Sequence, residues 1–184
     1  MHLEKEIKVL DINPNGTVKR LMELGAKFVF SGTMREIAFD HPRLRLKERD
    51  VLLRLRQCRN PRSIRPAELT LKKKTKGGSK LLERIEIETE VSDFEATREI
   101  LEALGFRICR DREKAREEWM LGDIKAEVDS YPDAPPYIEL EGSSRKKIKK
   151  AIQALGLSDN PTSTMSSTEL LKHWGIKNYN FIKF

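Results

Sequence analysis

The sequence predicts an α+β fold built around an antiparallel sheet or barrel. Apolar and charged residues alternate along about nine segments, as expected for strands, and three or four other segments repeat their apolar residues at the helical period. Short turns join several consecutive strands, which antiparallel neighbours allow and parallel neighbours do not. At 184 residues the chain is expected to form a single domain, 1–184, with C-terminal helices in 143–175 packed on the sheet.

The first half of the chain alternates between strands and helices. Asn13-Pro14 is a helix start and Gly25 is a helix stop. Ser92, with Glu95 three residues later, has the spacing of a capping box and is predicted to cap the second helix. Gly77-Gly78 is predicted to end the strand 67–76. The predicted strands are 2–10, 27–40, 51–58, 67–76 and 83–91, and the predicted helices are 13–25 and 92–105.

The second half repeats this pattern. Gly122-Asp123, between two alternating segments, predicts a tight hairpin. Ser143 or Ser144 is predicted to cap a basic helix that ends near Gly156. The Ser/Thr-rich stretch 162–168 precedes a last short helix. The predicted strands are 106–108, 112–121, 124–130 and 137–141.

Charged side chains share one face of these strands and cluster by sign. Arg54 and Arg56 form a basic pair, and Glu139 and Glu141 form an acidic pair, whose members point the same way because they are two residues apart. The simplest interpretation is a solvent-exposed face, since antiparallel sheets commonly have one. However, like-charged neighbours are mildly unfavourable on an ordinary surface, and the amphipathic helices need the apolar face for packing. If the sheet closes, its charged face lines the interior.

Such an interior suits a metal-bound polyphosphate. Carboxylates two residues apart on a strand can hold a hard divalent cation, Mg²⁺ or Mn²⁺, through oxygen ligands. Arginine and lysine can clamp phosphate oxygens. Phosphoryl transfer needs mainly positioning and electrostatic stabilisation. The sequence contains no GxSxG, Walker A, HExxH or Gly-rich dinucleotide motif that would indicate other chemistry.

Several segments resemble motifs of the CYTH superfamily, the triphosphate tunnel metalloenzymes. Glu4-Lys5-Glu6-Ile7-Lys8 resembles the ExExK signature of that family. The family includes class IV adenylyl cyclases, thiamine triphosphatases, inorganic triphosphatases and fungal-type RNA triphosphatases. Further matches follow in the family's order as far as residue 142: Phe39-Asp40-His41-Pro42 with Leu53-Arg54-Leu55-Arg56 (YFD…LRxR), Leu69-Thr70-Leu71-Lys72 (LTxK), Arg84-Ile85-Glu86-Ile87-Glu88 (RxExE), Lys114-Ala115-Arg116 (KxR), Val128-Asp129, and Ile138-Glu139-Leu140-Glu141 (the closing ExE).

The resemblance implies an eight-stranded, antiparallel, closed β-barrel, a triphosphate tunnel with helices packed outside. It implies that divalent metal ions are held by Glu4, Glu6, Asp129, Glu139 and Glu141. The implied triphosphate ligands are Lys8, Arg54, Arg56, Lys72, Lys114 and Arg116, and strand phase alone adds Lys74 and Arg84. Glu86 and Glu88 would be supporting acids. Catalysis is expected from Glu4, Glu6, Lys8, Arg116 and Asp129.

Three functions are compatible with this pattern. The first hypothesis is a triphosphatase that uses Mg²⁺ or Mn²⁺ to hydrolyse the terminal phosphate of tripolyphosphate, a nucleoside triphosphate or thiamine triphosphate. The alternative is a class IV adenylyl cyclase, which converts ATP to cyclic AMP and pyrophosphate. The third is a non-catalytic polyphosphate- or RNA-binding module that uses the basic runs 72–76 and 145–150. Residues 130–136 replace a glycine-containing turn of the family, so the sequence leaves the substrate open.

Composition limits the partners and the compartment. The net charge of +7 and the pI near 9.4 indicate an anionic partner. A small-molecule triphosphate is favoured over nucleic acid, because about fifteen charged residues are assigned to the interior. The N-terminus does not read as a signal peptide, and no apolar run reaches the roughly 18 residues of a membrane span, so a cytoplasmic protein without a membrane partner is expected. A homodimer is left open.

Overall fold

The computed structural model describes residues 2–74 and 82–184, apart from the side chains of 2–4, 74 and 82–84. Its helices are α1 (Pro14–Glu23), α2 (Phe94–Ala103), α3 (Arg145–Ala154) and α4 (Ser167–His173), with a 3-10 turn at Lys47–Arg49. Its strands are β1 (His2–Val9), β2 (Lys27–Asp40), β3 (Val51–Asn60), β4 (Ser63–Ile64), β5 (Ala67–Lys74), β6 (Leu82–Val91), β7 (Arg107–Leu121), β8 (Ile124–Ser130), β9 (Tyr137–Glu141), β10 (Thr162–Ser163) and β11 (Phe181–Ile182).

Eight of these strands form an antiparallel ring. They pair in the order β1-β6-β5-β3-β2-β7-β8-β9. The last strand, β9, pairs back with β1, from Glu6 opposite Glu141 to Val9 opposite Ile138. Three two-residue strands lie outside the ring: β4 pairs with β3, β10 with β1, and β11 runs parallel to β7. The predicted α+β fold around an antiparallel barrel is confirmed.

Two local predictions are wrong. The segments 106–108 and 112–121 form one strand, β7, because Arg110 and Asp111 continue the pairing with β2. The N-cap of α2 is Asp93 and not Ser92, since the Asp93 side chain accepts the backbone N–H of Ala96 at 2.8 Å. Aspartate caps a helix as well as serine does. Starting the helix one residue later also buries Phe94, which is 6% exposed.

The hydrophobic core lies between the outer face of the barrel and the helices. Leu21 of α1 and Ile148 of α3 pack with Leu140 of β9 in one cluster. Leu101 of α2 packs with Leu55 of β3 in a second cluster. Burying a side chain of this size stabilises the fold by roughly 1.5–3 kcal/mol. Because the apolar face of the strands is used on the outside, the charged face turns inward.

The C-terminal segment packs across one end of the barrel. Leu171 of α4 and Ile182 of β11 contact Tyr131 and Tyr137 in a third cluster. The start of α4 is fixed by a capping box, in which Ser166 and Glu169 exchange backbone and side-chain hydrogen bonds. This segment therefore contributes to one mouth of the interior. None of the described helices has the length and apolar character needed to cross a membrane.

Candidate functional site

A cavity of about 1040 Å³ lies inside the ring of strands. Its lining continues at one mouth onto the loop after β2 and onto residues 164–169, which lead into α4. This volume is at the upper end of the range typical of small-molecule sites. The interior of the barrel is therefore a binding space and is not filled by side chains.

Six of the eight predicted triphosphate ligands are brought together in this cavity. Five of them are nearly inaccessible from outside, with residue exposures between 2% and 8%, and the sixth, Arg56, is half-buried. The other two predicted ligands, Lys74 and Arg84, lie outside the described side chains. The six that line the cavity are Lys8, Arg54, Arg56, Lys72, Lys114 and Arg116.

Three of the five predicted metal-binding acids, Glu6, Glu139 and Glu141, lie where β1 pairs with β9. Glu6 lies directly opposite Glu141, and Lys8 lies opposite Glu139. The Lys8 Nζ is 3.1 Å from a Glu6 oxygen and 2.8 Å from a Glu139 oxygen. Although burial opposes ionisation, these two carboxylates raise the pKa of Lys8. The buried carboxylate of Glu6 and the half-buried carboxylate of Glu139 therefore share one cation in this conformation.

This acidic group has the donor chemistry of a magnesium or manganese site. Glu6, Glu139 and Glu141 all line the cavity, and carboxylate oxygens are the ligands that hard divalent cations prefer. The Lys8 ammonium group already stands between two of them, so the pocket accommodates positive charge. No ready-made group of three metal ligands occurs among the described side chains, and the side chain of Glu4 is outside them. The chemistry of these three carboxylates fits a hard divalent ion, and a metal site here stays a prediction.

Asp129 is held by cations and does not line the cavity. Its two oxygens accept hydrogen bonds from the Nε and Nη2 of Arg116, each at 2.8 Å, and from the Nζ of Lys114 at 2.5 Å. Glu127 accepts the remaining Nη1 of Arg116. Although burial opposes it, Asp129 and Glu127 raise the pKa of Arg116. In this conformation Asp129 orients two of the predicted phosphate ligands, and a metal-ligating role for it stays a prediction.

The supporting acids lie beside the remaining cations. Glu86 is 3.0 Å from the Nζ of Lys72 and 3.7 Å from the Nη2 of Arg54. Glu88 accepts the Nη2 of Arg56 at 3.2 Å. The Glu86–Lys72 pair is buried, whereas the Glu88–Arg56 pair lies in an exposed place. The structure thus places both acids where they orient basic neighbours.

Sequence reasoning missed further charged and polar residues that line the cavity. The inward-facing residues of β2 were not predicted. Glu36, Ala38 and Asp40 are two residues apart along the strand, so they share one face, and all three line the cavity. Arg110 was missed because it falls between the two segments, 106–108 and 112–121, that were predicted where β7 runs as one strand. Extending the alternation of β7 backwards from Arg116 would have found it. The missed residues on the strands of the ring include Glu36, Arg110, Lys125, Glu127 and Tyr137.

The paired carboxylates predict how stability depends on pH. Burial raises the pKa of Glu86 and Glu139, but Lys72 and Lys8 outweigh it and hold both values below the ordinary one. Unfolded carboxyl groups titrate near pH 4, so below that pH the unfolded state takes up protons that the folded state does not. We expect the urea midpoint to stay level from about pH 8 to 5 and to fall in more acidic solution. A midpoint that already declines between about pH 7 and 5 would contradict this pairing.

Comparison with known proteins identifies the family. A family model of the CYTH domain matches residues 2–164. The chain belongs to the CYTH family. The matched region includes the whole ring of strands and α1 to α3, and α4 and β11 follow it. The cavity described above is therefore the interior of a CYTH barrel.

Relatives of this CYTH domain cover nearly its whole length. A "putative adenylate cyclase" of Methanocaldococcus jannaschii is 29% identical over 181 residues, 98% of this chain and 94% of the relative. A conserved hypothetical protein of Pyrococcus furiosus is 26% identical, with a TM-score of 0.74 over 91% of this chain and 99% of that one. A Hippeastrum protein, described as a "putative adenylyl cyclase" with a dominant triphosphatase activity, shares the fold at 15% identity, with a TM-score of 0.67 over 97% of this chain and 99% of that one.

Proposed function

We propose that this CYTH domain is a divalent-metal-dependent triphosphatase that hydrolyses the terminal phosphate of a triphosphate compound. The observation that carries the proposal is the division of charge inside the cavity. Strands β3, β5 and β7 contribute five of the six cations, and β1 and β9 contribute Glu6, Glu139 and Glu141. A triphosphate needs both surfaces, because its charge must be shared between fixed cations and a metal ion.

The cations would bind and orient the chain of phosphates. Arg116 is fixed by Asp129 and Glu127, so its position costs little entropy when the ligand arrives. Lys8 bridges the acids and the cavity, so it can exchange a carboxylate for a phosphate oxygen. Bound by Glu6, Glu139 and Glu141, Mg²⁺ or Mn²⁺ would supply neutralisation of the phosphoryl charge.

Water is the expected nucleophile. The described lining of the cavity contains no histidine that could activate one of its serine, threonine or cysteine side chains. The buried carboxylates are the groups able to accept a proton from an attacking water. The Hippeastrum protein, which shares this fold, is itself described as having a dominant triphosphatase activity.

A class IV adenylyl cyclase is the second candidate. It is favoured by the name of the M. jannaschii relative, which spans 98% of this chain. The same cations would hold ATP, and the ribose 3′-hydroxyl would replace water as the nucleophile. The binding-module alternative is less favoured, because most of the predicted phosphate ligands line the interior of the barrel, whereas residues 145–147, 149 and 150 of the basic run lie exposed on α3, outside the barrel and apart from them.

Product identity separates these functions. The protein is incubated with ATP, inorganic tripolyphosphate or thiamine triphosphate and with Mg²⁺ or Mn²⁺, and the products are resolved by ion-exchange chromatography. We expect orthophosphate together with the matching diphosphate. An identically purified Glu6→Gln protein measures the background of contaminating phosphatases. Cyclic AMP with pyrophosphate would replace this proposal by the cyclase, and tight RNA binding without turnover would favour the binding module.

A further inference from the structure

Arg54 and Arg110 flank a small gap in the wall of the cavity. Both lie directly opposite Ala38, Arg54 on β3 and Arg110 on β7. Side chains opposite one another across neighbouring strands have Cβ atoms about 5 Å apart and project from the same face. Because Ala38 has only a methyl group and lines the cavity, no long side chain from this position stands between the two guanidinium groups, and this place is the gap.

Glu36 fixes both arginines from one side. Its Oε2 accepts the Nη1 of Arg54 at 3.3 Å, and its Oε1 lies 3.0 Å from the Nη2 of Arg110. Glu36 is 7% exposed, so this contact is screened little by solvent. The Nη1 of Arg110 also donates to Thr168 of α4 at 2.9 Å. Arg110 is therefore held at two points, and its guanidinium cannot swing out of the cavity without breaking both.

Part of each guanidinium is left without an acceptor. The Nε and Nη2 of Arg54 and the Nε of Arg110 are buried and have no hydrogen-bond partner among the described residues. The contact of Arg54 Nη2 with Glu86, at 3.7 Å, is too long for a hydrogen bond. Buried donors are almost always paired in native proteins, so unpaired ones need an explanation. An oxyanion in the gap would supply the missing acceptors.

Several cations also lie close together at this place. Four cations surround the carboxylate of Glu36: Arg110, Arg54, Lys114 and Arg112. Burial and the nearby Arg110 lower the pKa of Arg112, as expected where cations crowd together without enough anions. A ligand that brings negative charge would relieve this repulsion.

We propose that Arg110 is a further oxyanion-binding residue of the cavity, positioned by Glu36, and that the gap over Ala38 takes one phosphoryl group of the substrate. The proposal rests on the proposed function, which supplies the phosphoryl groups. Arg110 would add one cation to those of the family motifs. It lies at the mouth of the cavity to which α4 also contributes. The proposal also assigns Glu36 as a positioning residue, acting through Arg54 and Arg110.

Calorimetric binding of inorganic tripolyphosphate in EDTA tests this inference without turnover. Arg110→Gln is expected to weaken binding about 10- to 100-fold, because it removes charge-assisted hydrogen bonds. Arg107→Gln removes the same charge from an exposed position on the same strand and should change the dissociation constant less than about 2-fold. Equal effects of the two variants would overturn the inference.

Two further variants exclude a merely structural role for Arg110. Arg110→Lys keeps the charge, should fold with an unchanged melting profile, and should bind with an affinity between wild type and Arg110→Gln. In the double variant Glu36→Gln/Arg110→Gln the local charge balance is restored. If Arg110 contacts the ligand, binding stays weak. If Arg110 only neutralises Glu36, binding returns to the wild-type level, and the inference is wrong.

The outcomes separate this inference from the proposed function. A wild-type protein that hydrolyses triphosphates with metal but does not bind tripolyphosphate in EDTA would overturn the gap over Ala38 as an anion site and leave the triphosphatase in place. The inference is supported if the wild-type protein binds tripolyphosphate and if Arg110→Gln, but not Arg107→Gln, binds it more weakly. This holds even where the product assay favours the cyclase.

Discussion

Glu6→Gln is expected to reduce triphosphate turnover by more than about 100-fold, beyond the loss seen when only an outer-shell partner of a metal is removed. Glu6 is 3% exposed, lies opposite Glu141 and shares Lys8 with Glu139. Glutamine has nearly the same shape, so the barrel should still fold. It lacks the negative charge that attracts a divalent ion, and it releases Lys8 from one partner.

Initial rates over a range of Mg²⁺ or Mn²⁺ concentrations measure this loss. Part of it should be recovered at high metal concentration, because the remaining carboxylates still bind the ion, more weakly. Glu99→Gln, a change of the same kind at a side chain 71% exposed on α2, is the matched control and should keep the wild-type rate. A wild-type rate for Glu6→Gln at limiting metal would remove β1 from the metal site.

Asp129→Asn is expected to lower the free energy of unfolding by about 3–5 kcal/mol, the usual cost of removing one partner from a buried ion pair. Asp129 is 0% exposed and accepts three hydrogen bonds from Arg116 and Lys114. Asparagine can accept at only one of its two terminal atoms, so two buried cations lose most of their compensation.

Urea unfolding followed by circular dichroism measures the change. Asp159→Asn, at an exposed position, should stay within about 0.5 kcal/mol of wild type. If Asp129 were mainly a metal ligand, Asp129→Asn and the wild type would unfold at the same urea concentration without metal. Asp129→Asn would then be less stable than the wild type only in the presence of a metal that stabilises the wild type. That pattern would contradict the role derived from the structure.

The inward face of the strands was predictable, because side chains alternate with period two whatever the partner strand is. Arg54, Arg56 and Lys72 were placed on one face by this rule alone, and all three line the cavity. The partners of Asp129 could also have been predicted. A two-residue turn at Gly122-Asp123 brings Arg116 opposite Asp129, as observed.

The cluster around Glu36 could not be predicted in this way. Glu36 and Arg110 are far apart in the sequence, and the register that brings them together follows a long pairing of β2 with β7 that shifts at two irregular points. Each shift changes which residues lie opposite one another on the two strands, and no local sequence pattern predicts it. The sharing of Lys8 by Glu6 and Glu139 likewise depends on closure between the first and last strands of the ring.

Hydrolysis of ATP in water labelled with a heavy oxygen isotope tests the central claim most directly. If the cavity holds a triphosphate and directs water to its terminal phosphorus, each turnover places one labelled oxygen in orthophosphate and leaves ADP unlabelled. Mass spectrometry of the separated products measures the label in orthophosphate and in ADP. Cyclic AMP and pyrophosphate without label, or label in any product other than orthophosphate, would contradict a triphosphatase that attacks the terminal phosphate.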